Sequence, residues 1–181
     1  MKISIITINL NNLHGLKRTM ESILAQSSKD YEWIVIDGRS TDGSVELIKE
    51  YTQHIAYWVS EPDKGIYHAM NKGIEIATGD YLQFLNSGDY LYSDDIVSSF
   101  IEMLPNSDVV YGNASLVDLN GNEVGQYLAP VQMRLSYFWS HTLNHQGTFF
   151  HKRCFEHFRY NEDNCARRSM FSQFERQNSV I

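Results

Sequence analysis

Acidic and amide side chains that could do chemistry stand just beyond four predicted strands of this 181-residue sequence. They are Asn9, Asp37, Glu61, Asp63, Asn86 and Asp89. Any one of them alone is more simply explained as a turn or helix-capping residue. In a parallel sheet, however, ligands bind beyond the carboxyl ends of the strands, which meet at one edge. Polar residues at four such ends therefore predict a ligand site at that edge.

Asp89 has the chemistry of a metal ligand. It follows a buried strand predicted at residues 81–85, in the sequence Asn-Ser-Gly-Asp. Mg²⁺ and Mn²⁺ normally take only one or two protein carboxylates and complete their coordination with substrate phosphates and water. One aspartate is therefore enough when the substrate carries a diphosphate, because the metal would stabilise the charge on the departing nucleoside diphosphate. The alternative is an ordinary loop aspartate, which Asp89 alone does not exclude.

A glycine-containing segment at residues 37–43 follows the second strand. Its glycines keep the backbone open, and Asp37 could accept hydrogen bonds from a base or a ribose. The segment has neither the G-x-G-x-x-G spacing of dinucleotide-binding proteins nor the lysine of a P-loop. The alternative interpretation is a tight turn that leads into a capped helix.

Segments typical of strands and helices alternate along the first hundred residues. Strands are predicted at 3–8, 33–36, 55–60 and 81–85, and helices at 13–24, 45–51, 66–77 and 96–104. Gly79 predicts a helix end in a left-handed conformation, and Asn120-Gly121 predicts a hairpin in a β-rich region that begins near residue 108. Repeated strand–helix–strand units predict an α/β fold, in which a mostly parallel, Rossmann-related sheet is flanked by helices.

Composition limits the class of protein. Hydrophobic residues make up 43% of the chain and charged residues 20%, which predicts one globular domain rather than disorder. The net charge of −7 argues against a nucleic-acid partner. Two cysteines predict no disulfide framework, and no segment reaches the ~20 apolar residues that span a bilayer. We therefore expect a cytoplasmic protein that could also bind peripherally to the inner face of the membrane.

Seven segments in a fixed order carry a family resemblance. They lie at residues 4–9, 32–38 with 40–43, 60–67, 69–73, 79–81, 85–89 and 144–150. In this order and spacing the chain resembles the family 2 glycosyltransferases, which have the GT-A fold, over roughly residues 1–160. The resemblance implies a nucleotide-sugar-binding domain at 1–160, an atypical tail at 161–181, and transfer of a sugar from a nucleotide-diphosphate donor to a hydroxyl with inversion. It also implies Mg²⁺ or Mn²⁺ as cofactor, a glycan or lipid-linked acceptor, and a role in polysaccharide synthesis.

The resemblance assigns roles to individual residues. The donor-binding residues that it and the strand ends imply are Thr7, Asn9, Asp37, Asp63, Lys64, Asn86, His145 and Gln146. Among them Asp37 is expected to contact the base, and His145 and Gln146 the sugar and diphosphate. Asp89 matches the last acid of a D-x-D metal motif whose first acid is replaced by Ser87. His68 stands where relatives have aspartate, and we interpret it as a helix-surface residue.

The acceptor side departs from the family pattern after about residue 163. Relatives place a catalytic aspartate, the base toward the acceptor hydroxyl, near the position of Ser169, which is not acidic. Glu162 and Asp163 are the nearest acids and match poorly, so the catalytic base is unassigned. We expect a truncated or divergent tail that is loosely held, and poor sugar transfer by this chain.

Three functions remain open at this point. The first is an active, inverting sugar transferase. The second is a donor-binding but catalytically impaired remnant that lacks the acceptor-side base. The third is a nucleotidyltransferase with the same type of sheet, which the Asn9-Leu10-Asn11-Asn12 sequence disfavours because a glycine-rich loop with a basic residue is expected there.

Overall fold

A six-stranded sheet forms the centre of the protein, in a computed structural model that describes residues 1–118, 121–129, 144–156 and 159–162. Its strands are β1 (Ile3–Asn9), β2 (Tyr31–Asp37), β3 (Tyr57–Ser60), β4 (Tyr81–Phe84), β5 (Val109–Tyr111) and β8 (Thr148–His151). Their spatial order is β3-β2-β1-β4-β8-β5. The first four strands are parallel, and β8 runs antiparallel to both β4 and β5. The predicted α/β fold class is therefore confirmed.

Helices cover both faces of this sheet because side chains on each strand alternate between the faces. The helices are α1 (Leu13–Leu24), α2 (Ser44–Glu50), α3 (Ile66–Ile76) and α4 (Ile96–Glu102). Ile3 and Ile5 of β1 pack in one apolar core with residues of α1, α2 and α4, whereas Ile6 and Ile8 pack in a second core with α3. Two cores on opposite faces explain why β1 and β2 are buried along almost their whole length.

The remaining elements are short. Strands β6 (Ala114–Val117) and β7 (Glu123–Tyr127) form a separate antiparallel pair, as the hairpin signal predicts, although Asn120 itself lies outside the described residues. Among the residues that the structure describes, 3₁₀ turns cover Thr52–His54, His145–Gly147 and Lys152–Phe155. Because the first of these turns precedes β3, the strand begins at Tyr57 and not at residue 55, where the sequence predicted its start. Within the described ranges, no helix is long and apolar enough to cross a bilayer.

Gly79 has a different role from the predicted one. It is not among the residues with positive φ, so it does not end α3 in a left-handed conformation. A Cβ atom on Gly79 would lie 2.7 Å from the backbone nitrogen of Ser4, which is closer than real Cβ atoms come. The backbone nitrogen of Gly79 donates instead to Ser4 Oγ at 2.9 Å. Glycine is therefore needed for close approach of two chain segments rather than for a special φ angle.

Candidate functional site

The carboxyl ends of the four parallel strands meet at one edge of the sheet. Asn9 of β1 is paired with Asp37 of β2, and Asp37 is paired with Ser60 of β3. The loop after β4 joins the same edge, because the Ser87 backbone nitrogen donates to the carbonyl of Ile8 at 3.0 Å. The structure thus brings the loops that carry Asp63 and Asp89 to the edge where the strand pattern predicts a site.

Asp37 is buried at this edge, with both carboxylate oxygens occupied. Oδ1 accepts from Asn9 Nδ2 at 2.7 Å and from Ser40 Oγ at 2.6 Å. Oδ2 accepts from the Ser40 backbone nitrogen at 2.9 Å and from Ser60 Oγ at 2.6 Å. The side chain has 0% exposure, so these contacts do not support the expectation that Asp37 reads a base. The carboxylate instead stabilises the turn at residues 37–40 and joins the ends of three strands.

Thr7 and Asn9 are also enclosed. Thr7 has 0% exposure, and its Oγ1 accepts from Trp33 Nε1 at 2.9 Å. Thr7 lies two residues before the end of β1, which moves its side chain about 6.6 Å below the edge. The structure thus places Thr7 in the core below the edge, and its predicted role in donor binding stays a prediction. Asn9 does lie at the edge, where its buried Oδ1 has no hydrogen-bond partner among the described residues.

Asp63 lies in the loop between β3 and α3, at the centre of a charged cluster. Its Oδ1 accepts from Lys72 Nζ at 2.6 Å and lies 3.1 Å from His68 Nδ1. Lys72 also forms an ion pair with Glu61 at 2.8 Å. His68 is thus a partly buried member of this cluster rather than a free helix-surface residue. The Lys64 side chain is exposed next to Asp63 at the same edge.

Three residues of α1 and its N-terminus hold the loop that carries Asp89. Thr19 Oγ1 donates to the Asp89 carbonyl at 2.6 Å and accepts from the Gly88 backbone nitrogen at 3.0 Å. Asn12 Nδ2 donates to the Ser87 carbonyl at 2.9 Å. Arg18 covers the ring of the next residue, Tyr90, at 5.2 Å from its centroid. These contacts fix the position of the Asp89 backbone, because Thr19 is fully buried and cannot bond to water instead.

The 3₁₀ turn His145–Gly147 meets the same loop from the side of β8. Gln146 Nε2 donates to Asp89 Oδ2 at 3.0 Å, and His145 Nε2 lies 3.2 Å from Asn86 Nδ2. The Gln146 carbonyl accepts from Gln83 Nε2 at 3.0 Å, which anchors the turn to β4. Residues almost sixty positions apart in the sequence are therefore brought together, as the family resemblance implies for His145, Gln146 and Asp89.

Burial shifts the pKa values of Asp89 and His145. Desolvation raises the pKa of Asp89, and the hydrogen bond from Gln146 only partly offsets it. Desolvation lowers the pKa of His145, so its imidazole is neutral near pH 7. Among the described residues, no Lys, Arg or His forms an ion pair with the partly buried Asp89 carboxylate, and a bound metal ion would complement such an environment.

The described residues suit a metal ion that is bound jointly by the protein, substrate phosphate and water, but they do not form a complete metal site by themselves. Within residues 1–118, 121–129, 144–156 and 159–162, no group of three His, Cys, Asp or Glu side chains could hold a metal ion. The Asp89 carboxylate is hydrogen-bonded by the Gln146 side chain and by the Asn86 backbone, and the nearby Asn86 Oδ1 is buried without a partner among these residues. One carboxylate and one amide oxygen suit a hard cation that takes its other ligands from phosphate and water.

The acceptor side is described only as far as Glu162. Asn71 of α3 donates from Nδ2 to Glu162 Oε1 at 3.0 Å and to the Tyr160 carbonyl at 2.9 Å. Its Oδ1 accepts from the Tyr160 backbone nitrogen at 2.9 Å, and the Tyr160 ring stacks on Tyr67 at 5.1 Å. Asn71 therefore holds the chain up to Glu162 against α3. Asp163, Ser169 and the rest of the predicted tail lie outside the described residues.

Several residues at this edge were not predicted from the sequence. They are Asn12, Thr19, Asn71 and Lys72. Each lies on a helix or at its N-terminus. Asn12, Thr19 and Asn71 bond to loops far away in the sequence, whereas Lys72 bonds to the loop that precedes its own helix. One sequence signal is a polar residue on the inner face of an amphipathic helix, a position that Thr19 and Asn71 both occupy between apolar neighbours. A second signal is that Asn71 and Lys72 lie in segment 69–73, which carries the family resemblance.

The sequence and the fold were compared with known proteins. The sequence matches the family described as Glycosyl transferase family 2 over residues 4–173, past residue 163, where the motifs lose their resemblance. It is 38% identical over 156 residues to an uncharacterized glycosyltransferase of Mycobacterium tuberculosis, covering 82% of this chain and 58% of that protein. The family match covers well over half of the chain.

Two solved structures show the same fold. S. aureus TarS 1–349 in complex with UDP superposes with a TM-score of 0.74 at 18% identity, over 94% of this chain and 53% of that one. The mannosyltransferase PcManGT from Pyrobaculum calidifontis, in complex with GDP-Man and Mn²⁺, gives a TM-score of 0.67 at 18% identity, over 93% and 50%. The chain thus spans about half the length of the proteins that it matches. Its fold is GT-A, and the chain belongs to glycosyltransferase family 2.

Proposed function

We propose that this chain is the donor-binding part of an inverting glycosyltransferase, in which Asp89 and the substrate diphosphate together hold Mg²⁺ or Mn²⁺. The observation that supports this best is the convergence of Asp89 and Gln146, at 3.0 Å, on the edge of the sheet that also carries Asp63. A partly buried carboxylate that Gln146 orients, on a loop fixed by Thr19, is suited to a cation whose other ligands come from phosphate and water.

Each group in the proposed site has a separate task. The metal, when bound, would neutralise the charge that develops on the departing nucleoside diphosphate. Asp89 holds the cation, and Gln146 orients the Asp89 carboxylate. Asn86 and His145 line the side where the sugar and diphosphate lie. Lys64, exposed at the same edge, supplies positive charge to the diphosphate, and Asp63 contacts the nucleoside.

Two structural neighbours support a nucleotide-sugar donor. TarS was solved with UDP, and PcManGT was solved with GDP-Man and Mn²⁺. Because the identities are low, these ligands suggest the class of compound and leave its base and sugar open. We propose a glycan or lipid-linked acceptor, in polysaccharide synthesis at the cytoplasmic side of a membrane.

A second candidate function is donor binding with impaired transfer. The observation that favours it is the absence of any Asp or Glu from residue 164 to residue 174, where the family resemblance requires a base. Glu162 is an exposed acid held by Asn71, and it is the nearest described carboxylate in the sequence.

The experiment that tests the proposed function measures donor hydrolysis and transfer. Purified chain is incubated with UDP-, GDP- and dTDP-sugars in the presence of Mn²⁺ or of EDTA, and calorimetry measures the binding of each donor. We expect binding of at least one donor that EDTA abolishes. Binding with little turnover would favour the second candidate, and the absence of binding to every donor with Mn²⁺ would contradict both.

A further inference from the structure

The loop that carries Asp89 is long and irregular. β4 ends at Phe84 and α4 begins at Ile96, so residues 85–95 lie outside the regular strands and helices. Connections between strands and helices in α/β folds usually have about 2–6 residues, and segments with few anchoring contacts open most easily. A metal ligand on a loop of this length therefore needs partners that fix its backbone.

Four polar residues of α1 and of the residues that cap it supply such partners, and we call them the α1 stripe. They are Asn12, Thr19, Ser22 and Gln26. The first, second and fourth are seven positions apart, and Ser22 lies three positions after Thr19. At 3.6 residues per turn, this spacing puts all four on one side of the helix. The stripe therefore runs along the whole length of α1.

The first half of the stripe binds the backbone around Asp89. Asn12 Nδ2 donates to the Ser87 carbonyl at 2.9 Å, and Thr19 Oγ1 accepts from the Gly88 backbone nitrogen at 3.0 Å. The Asp89 carbonyl, at 2.6 Å, is the nearest of three carbonyl oxygens around Thr19 Oγ1. Gly88 has a φ angle of +105°, which favours glycine, so the chain turns sharply where Thr19 holds it.

The second half of the stripe binds the rest of the loop. Ser22 Oγ accepts from the Leu91 backbone nitrogen at 3.2 Å. Gln26 Nε2 donates to the Ser93 carbonyl at 2.7 Å, and Gln26 Oε1 accepts from the backbone nitrogen of Val97, in the first turn of α4, at 3.0 Å. These bonds are made to backbone groups, so they fix the path of the loop rather than its side chains. Helix α1 thus acts as a template for the loop from β4 to α4.

We propose that the α1 stripe, and Thr19 above all, positions Asp89 for its metal ion. This inference rests on the proposed function, and it assigns part of the metal affinity to a residue that touches neither metal nor substrate. Because Ser87 replaces the first acid of the D-x-D motif, Asp89 is the one carboxylate of that motif. A metal ligand must be held to within about 0.5 Å of its working position. Thr19 holds the Asp89 backbone, and Gln146 orients its carboxylate.

The first test is Thr19→Val, which replaces the hydroxyl by a methyl group of similar size. The Gly88 N–H and the Asp89 carbonyl then lose their partner on α1. Titration of Mn²⁺ with saturating UDP should show a loss of about 10- to 100-fold in metal affinity, the usual effect of removing a residue that supports a metal ligand. Thr19→Ser keeps the hydroxyl and should restore most of the affinity. Equal losses in the two variants would contradict a role of the hydroxyl.

The second test needs no metal. Hydrogen exchange of the Gly88 amide in the ligand-free chain should be faster in Thr19→Val than in the wild type or in Thr19→Ser, because its acceptor is lost. The Leu91 amide, which Ser22 binds, should exchange as it does in the wild type. Unchanged exchange at Gly88 would contradict the proposal.

Asn12→Ser tests the stripe at an exposed position, where the fold is not at risk. Serine keeps the N-cap of α1, but it has no amide to donate to the Ser87 carbonyl. Loss of this one bond should weaken Mn²⁺ binding by about 2- to 10-fold. If Thr19→Val does not fold, wild-type Mn²⁺ affinity in Asn12→Ser would overturn the proposal.

Thr52→Val is the matched control. The Thr52 hydroxyl also bonds to backbone carbonyls, those of Ile48 and Lys49, but it lies in the 3₁₀ turn that leads to the amino end of β3. This variant should bind Mn²⁺ as the wild type does, and a loss equal to that of Thr19→Val would contradict the proposal. Wild-type Mn²⁺ affinity in Thr19→Val would overturn the proposal and leave the proposed function intact. The absence of metal-dependent UDP binding by the wild type would contradict the proposed function, and with it this inference.

Discussion

Gln146 donates a hydrogen bond from Nε2 to Oδ2 of Asp89 at 3.0 Å, and so joins the loop after β4 to the turn before β8. The two residues are 57 positions apart in the sequence. Gln146 is anchored in turn by Gln83 and by the side chain of Asn144, which accepts from the Gln146 backbone nitrogen at 3.0 Å. The orientation of the Asp89 carboxylate is therefore fixed before any ligand binds, which lowers the entropic cost of assembling a metal site.

Asp89→Asn should abolish metal-dependent binding of nucleoside diphosphates. The amide keeps the shape of the side chain and can still accept from Gln146, but it removes the negative charge that attracts the cation. We expect the affinity for UDP with Mn²⁺ to fall to the value measured in EDTA, with little change in the free energy of unfolding. Calorimetry and urea denaturation measure the two quantities.

The control for this change is Asp94→Asn, which removes an exposed aspartate five positions further along the same loop. It should leave the Mn²⁺ dependence of UDP binding as it is in the wild type. Unchanged, metal-enhanced binding by Asp89→Asn would show that Asp89 is not the metal ligand.

Gln146→Ala should weaken metal-dependent binding without removing it. The backbone contacts of residue 146 to Gln83 and Asn144 do not need its side chain, so the turn should persist. Loss of a residue that orients a metal ligand typically costs about 10- to 100-fold in metal affinity. Titration of Mn²⁺ in the presence of saturating UDP measures this loss. Gln126→Ala, in the exposed hairpin, is the matched control, and equal effects of the two variants would refute the role of Gln146.

The sequence predicted the fold more completely than the site, for a physical reason. The apolar runs of β1 and β2 and the alternation of strands with helices determine the sheet, and these are local patterns. The prediction that polar residues at four strand ends meet at one edge of the sheet followed from the parallel arrangement of the strands. The roles of Thr7 and Asp37 did not follow, because they depend on tertiary neighbours: the Trp33 indole bonded to Thr7, and the hydroxyls of Ser40 and Ser60 bonded to Asp37. The cluster of Lys72, His68 and Asp63 likewise forms only after α3 packs behind the loop that follows β3.

Glu32 should make stability depend on pH at the end of the sheet opposite to the site. Its carboxylate accepts from Lys2 Nζ, Ser4 Oγ and three donors of Thr78 and Gly79. Burial alone would raise the pKa of Glu32, but these hydrogen bonds outweigh it and lower the pKa from 4.5 to about 2. An acid whose pKa is lower in the folded state contributes stability above pH 4.5 and loses it as the pH falls towards 2.

Glu32→Gln tests this dependence. At pH 7 the variant should be less stable than the wild type by about 1–3 kcal/mol in urea denaturation, because a buried charged network is broken. The difference between the two proteins should shrink as the pH falls from about 4.5 towards 2. At pH 7 the folded variant should bind UDP with Mn²⁺ as the wild type does. A difference in stability that stays constant over this pH range would contradict the pKa assignment.

Sugar transfer by this 181-residue chain should be slow even when the donor binds well. The acceptor hydroxyl must lose a proton during the reaction, and the family resemblance requires a carboxylate near Ser169 that the sequence lacks. Loss of a positioned base typically costs about 10²- to 10⁴-fold in rate, whereas donor affinity need not change, because the base contacts the acceptor. Single-turnover assays with a bound donor and a panel of glycan acceptors measure the transfer step. If transfer proves fast, Glu162→Gln separates the remaining explanations, with Glu156→Gln as an exposed control on the preceding turn. A large loss of rate in Glu162→Gln alone would overturn the prediction and identify Glu162, held by Asn71, as the base.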